Sequence, residues 1–151
     1  MARADKPHVL LIDDNDATCA LVMAILRRDF AIDTATDGAE AIEKLKTNVY
    51  AVILLDLRMP QVDGFGVLDF LHGSAPEALA RVIVLTAAVT PREMGRVRDY
   101  PIASVIVKPF DIDVLLNAVK ACSGSGGSPF GSVLSSGMIL LIADLLRQKL
   151  I

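Results

Sequence analysis

The chain reads as an α/β protein: a five-stranded parallel sheet with helices on both faces, followed by a C-terminal apolar helix. Three observations predict this. Five strand-like runs alternate with five helix-like segments along the first 122 residues, the pattern of successive βα units. Four of the five runs are continuously apolar, as strands covered on both faces are. Those four runs also end on chemically capable residues, and open α/β sheets place their ligand sites at that carboxyl edge.

The first run, His8-Val9-Leu10-Leu11-Ile12, stops at Asp13-Asp14. Residues 15–28 follow, with Leu21, Val22, Ile25 and Leu26 giving the apolar stripe of a helix. The second run, residues 31–35, alternates apolar with polar and belongs at a sheet edge. A helix over 39–45 follows, with Asp37 as its N-cap. The third run, Ala51-Val52-Ile53-Leu54-Leu55, stops at Asp56, and a helix over 65–71 ends at Gly73-Ser74 ahead of Pro76. Asp63-Gly64 reads as a pair that shapes the intervening loop. Val82-Ile83-Val84-Leu85 stops at Thr86, and a short polar helix over 91–98 starts with Thr90 as cap and Pro91 in the first turn. Ser104-Val105-Ile106-Val107 stops at Lys108-Pro109, and the fifth helix covers 112–121 behind Asp111.

Composition then changes. Residues 1–122 form one domain, residues 123–132 are a Gly/Ser-rich flexible linker, and residues 133–151 carry a helix with a broad apolar face. Leu134, Met138, Leu141 and Leu145 form the stripe, whose near-heptad spacing predicts self-association through Val133–Ile151, most simply as a homodimer.

With 151 residues, 53% apolar and 22% charged, the chain is globular. A net charge of −3 gives no general attraction to nucleic acid or to anionic membranes. No apolar run is long enough for a spanning helix, and the first residues lack the apolar stretch of a signal peptide. Cys19 and Cys122 form no disulfide framework and read as buried thiols, in keeping with a cytoplasmic protein.

In a parallel sheet the strand ends bring together Asp13, Asp14, Asp56, Thr86 and Lys108. Hard carboxylate oxygens suit magnesium. His8 and His72 stand apart, so the sequence offers no imidazole set for zinc. With a divalent cation drawing charge from phosphoryl oxygens, Asp56 can act as a nucleophile, while Lys108 neutralises a second oxygen and Thr86 donates to a third. Taken singly, Asp56 reads as a turn residue, Thr86 as a strand-end hydroxyl and Lys108 as a surface lysine; the five together carry the chemistry.

The segments Leu11-Ile12-Asp13-Asp14, Leu55-Asp56-Leu57-Arg58-Met59-Pro60, Asp63-Gly64, Leu85-Thr86-Ala87 and Val107-Lys108-Pro109-Phe110 resemble, in order and separation, the receiver domains of bacterial two-component response regulators, in particular single-domain, CheY-like ones. The resemblance covers about residues 7–121. It implies a flavodoxin-like strand order 2-1-3-4-5 and a cis Lys108–Pro109 bond. It also implies Asp56 as phosphoacceptor, and Asp14 as a direct magnesium ligand with Asp13 binding the ion mostly through water. The Arg58 carbonyl would complete that site, with Thr86 and Lys108 on the phosphoryl group. A histidine kinase or phosphotransfer protein would be the donor, and autodephosphorylation would be slow. One departure stands out: many receivers carry Tyr or Phe three residues before the lysine, where this chain has Val105.

Two rival functions share these features. A phosphate-independent scaffold of receiver shape is one. An aspartate-nucleophile phosphatase is the other, but such enzymes commonly carry a second Asp two residues after the nucleophile, where this chain has Arg58. About 30 residues follow the fifth helix, too few for a winged-helix output domain, so output is expected through protein–protein contact.

Overall fold

The computed structural model describes residues 6–59, 62–87 and 89–124. The Gly/Ser linker beyond Gly124 and the helix expected over 133–151 lie outside the described residues.

Apolar runs that alternate their side chains between two sheet faces need a cover on each face. Strands β1 (His8–Ile12), β2 (Ala31–Ala35), β3 (Val52–Leu55), β4 (Val82–Thr86) and β5 (Ser104–Val107) pair in parallel in the order β2-β1-β3-β4-β5. Along β1, Val9 and Leu11 enter one core, and Leu10 and Ile12 enter the other. The first core is closed by Val22 and Leu26 of α1 (Asp16–Leu26) with Leu115 and Val119 of α5 (Ile112–Cys122). The second is closed by Ala41 of α2 (Gly38–Thr47), Phe65, Leu68 and Leu71 of α3 (Gly64–Ser74), and Met94 and Val97 of α4 (Pro91–Val97).

The expected caps form. Asp37 accepts from the Glu40 N–H, Thr90 from Glu93 and Asp111 from Asp113. The alternating second run is an edge strand, partly exposed along most of its length. β5 occupies the other edge yet stays buried through Ile106, so apolar continuity marks coverage of the faces and not a central position.

Two expectations need correction, and one element was not foreseen. The third helix runs on through Gly73 and Ser74 and stops at Ala75, because a residue before proline is excluded from helical backbone. A 3-10 helix, Pro76–Arg81, fills the stretch ahead of β4, burying Ala78 and Leu79. Cys19 and Cys122 are half-buried, each on a helix flank at the rim of the first core.

Candidate functional site at the carboxyl edge of the sheet

The sheet's own hydrogen bonding carries past the strand ends and sets the site. The Asp13 N–H donates to the Ala35 carbonyl (3.0 Å), the Asp56 N–H to the Ile12 carbonyl (2.9 Å) and the Lys108 N–H to the Thr86 carbonyl (2.8 Å). Asp13, Asp56, Thr86 and Lys108 are therefore each held by a backbone hydrogen bond that extends the sheet. The Lys108–Pro109 bond is cis.

The geometry unites all the residues expected there. Carboxylate oxygens of Asp13, Asp14 and Asp56 lie within 4.8 Å of one another. Asp13 and Asp56 are buried, and Asp14, the next residue along, points to solvent, as neighbours at a strand end should. The Lys108 ammonium donates to Asp13 Oδ2 at 2.5 Å and stands 3.7 Å from Asp56 Oδ2. Asp56 Oδ1 accepts from the Thr86 hydroxyl (3.1 Å) and from the Arg58 N–H (3.2 Å). Asp13 Oδ1 accepts from the Asn15 N–H at 2.9 Å.

Charge is unbalanced here. One ammonium faces three carboxylates, two of them withdrawn from water. Burial pushes the Asp56 carboxyl above its usual range; the Arg58 N–H and the Lys108 ammonium pull it down, Asp13 pushes it further up, and the net direction is upward. A cluster of hard oxygen donors with excess negative charge and one side open to water fits a magnesium ion, which keeps several of its waters.

Gly64 explains why the loop after Asp56 is shaped as it is. Its N–H donates to the Leu57 carbonyl at 3.0 Å, and a Cβ there would lie 2.5 Å from the Asp56 carbonyl oxygen. Only glycine lets α3 start this close to the strand. Asp63 caps the helix through the Gly66 N–H and lines the cleft that Asp14 shares. His72 sits in the last turn of α3, edge-on to Tyr100.

Sequence reasoning missed Glu93 and Arg96. With Asp14, Arg58, Met59 and Phe65 they line an open cleft of about 480 Å³ beside the carboxylates. The spacing Thr90-x-x-Glu93 is a capping-box signature and was legible; its contact with Arg58, 35 residues away in sequence, was not.

Comparison with known proteins places the chain in a family. Residues 9–120 match the response regulator receiver domain family. The gliding motility regulatory protein of Myxococcus xanthus is 31% identical over 118 residues, covering 77% of this chain and 15% of that protein. The chain spans 19%, 15% and 54% of the length of three curated relatives it matches. Among solved structures, the receiver domain of the Francisella response regulator 1452 superposes with a TM-score of 0.71 at 27% identity, covering 80% of this chain and 99% of that one. The receiver domain of the Pseudomonas aeruginosa sensor histidine kinase PA1611 shares the fold with a TM-score of 0.71 at 22% identity, covering 79% and 98%; that structure carries a magnesium ion in its active site cleft.

Proposed function

As the chain belongs to the response regulator receiver domain family, we propose that it is a phosphorylation-operated signalling switch with Asp56 as the phosphoacceptor. The observation that carries this reading is the Asp13–Asp14–Asp56 cluster with Lys108 and Thr86 at hydrogen-bonding range. We assign the switch to residues 1–122; the family match over residues 9–120 and the end of α5 at Cys122 support this reading.

Asp56 Oδ1 is engaged by two donors, which leaves Oδ2, beside the ammonium, as the oxygen turned toward an incoming group. That oxygen attacks the phosphorus of a phosphohistidine on a histidine kinase or phosphotransfer protein. A P–O bond forms and the P–N bond breaks; the imidazole nitrogen keeps the electron pair and takes up a proton. Asp13, Asp14, Asp56 and the Arg58 carbonyl would hold magnesium, which supplies charge neutralisation for the phosphoryl oxygens. Lys108 neutralises a further oxygen, and Thr86 donates to another by turning its hydroxyl from Asp56 Oδ1. Slow attack by water returns the carboxylate and inorganic phosphate. Among the described residues no helix is long and apolar enough to cross a membrane, and output is by protein–protein contact.

Incubation with phosphoramidate and magnesium, followed by intact-mass spectrometry, tests the assignment. One phosphoryl group on the wild type and none on Asp56→Asn is the expected result. Equal labelling of the two proteins refutes it.

A further inference from the structure

A single side chain links the phosphorylation site to α4. Arg58 stands two residues beyond Asp56. Its N–H donates to Asp56 Oδ1, and its guanidinium donates to Glu93 Oε1 at 3.0 Å. Glu93 is the third residue of α4, and the same oxygen accepts from the Thr90 N–H (3.4 Å) and the Thr90 hydroxyl (3.0 Å). The Glu93 N–H in turn donates to the Thr90 hydroxyl at 3.1 Å. One carboxylate oxygen therefore serves both the start of α4 and the arginine from the phosphorylation loop. The Arg58 side chain is 55% exposed and that of Glu93 only 21%, so the guanidinium is the partner free to move. Both line the cleft that Asp14 shares.

We propose that the Arg58–Glu93 pair is a latch: a phosphoryl group on Asp56 draws the Arg58 guanidinium off Glu93 and loosens the first turn of α4. The latch rests on Asp56 being the phosphoacceptor. Replacing one carboxylate charge by a phosphoryl dianion makes the site about one unit more negative, with any bound divalent ion counted on both sides of the change. A guanidinium fork is well matched to phosphoryl oxygens. Against this stands one partly exposed ion pair, a weak holder. The helix it steadies has only seven residues, too few to be stable without its cap and its packing. Val105, buried behind α4 in the second core, has no ring to swing. The Arg58 route needs no such rotamer.

Hydrogen exchange at the Glu93 and Met94 amides of the full chain tests the latch. Wild type and Glu93→Gln are compared with and without phosphoramidate and magnesium, and intact mass gives the phosphorylated fraction of each sample. Gln at this position keeps the capping box while removing the ion pair. In the wild type, phosphorylation should speed exchange about two- to fivefold, the range set by a partly exposed pair. Glu93→Gln should exchange at the faster rate before phosphorylation and gain little from it. Arg58→Gln should behave like Glu93→Gln. An equal increment in labelled wild type and labelled Glu93→Gln overturns the latch. Failure of the wild type to label refutes the phosphoacceptor reading instead; the unphosphorylated pair then decides the latch, which falls if Glu93→Gln exchanges no faster than wild type.

Discussion

Asp56 is held ionisable in a place that disfavours its charge, and the consequence is measurable. Its raised folded-state value means the folded protein binds that proton more tightly than the unfolded chain does. Stability from this group is thus present at low pH and is lost as pH rises through the folded value, leaving a cost at neutral pH. Asp56→Asn removes the cost. Without divalent cations at pH 7 it should raise the melting temperature by roughly 2–4 °C, on the order of 1 kcal/mol, and the gap should narrow as the pH falls. Calorimetry in chelator checks this; a mutant that melts at or below wild type contradicts it. Lys108 is the opposite case. It is the ammonium that faces both buried carboxylates, and removing one partner of a buried pair costs about 3 kcal/mol or more. Lys108→Met should lose about that much in chelator and regain a good part of it in magnesium, which replaces the missing positive charge. Urea melts in the two buffers decide; a loss that magnesium leaves untouched speaks against a shared electrostatic role.

At the scale of elements, the sheet transmits position and α3 and α4 receive it. α3 begins where Gly64 meets the Asp56 carbonyl. Arg96 of α4 then lays its guanidinium over the Phe65 ring, 3.8 Å from the centroid. Gly64→Ala must push helix and strand apart, because the contacts are backbone and cannot rotate away. Overpacking of this kind costs about 1–3 kcal/mol, and phosphorylation by small donors should slow as Asp56 shifts. Denaturation together with labelling rate tests it; wild-type values for both would show that the helix gives way freely. The strands and their terminal residues were legible in the sequence because burial on two faces enforces continuous apolar runs, and those runs end where chemistry begins. Asp13, Asp14, Asp56, Thr86 and Lys108 were found that way. What was not legible has one physical character. The Arg58–Glu93 pair, the Arg96–Phe65 stack and the short helix over Pro76–Arg81 depend on contacts between distant segments or on close packing against them, and no local periodicity records such contacts.

At the scale of the whole molecule, both buried clusters of the described residues lie within residues 9–122, so a two-sided sheet is covered by its own helices. Residues 133–151 are a separate matter, argued from sequence alone. They hold about a dozen apolar side chains, with Leu134, Met138, Leu141 and Leu145 spaced as on one face of a helix and Asp144 interrupting the run. Each large apolar side chain gains roughly 1.5–3 kcal/mol on full burial, so such a face seeks a cover. The near-heptad spacing suits an identical helix from a second copy. Static light scattering on the full chain and on a truncation ending at Ser123 should therefore show association in the former and a monomer in the latter. Substituting Leu141→Glu in the full chain should weaken that association, since it buries a charge in the paired face. Two monomeric proteins at high micromolar concentration would end the self-association reading and leave the chain's own domain as the surface that covers this segment.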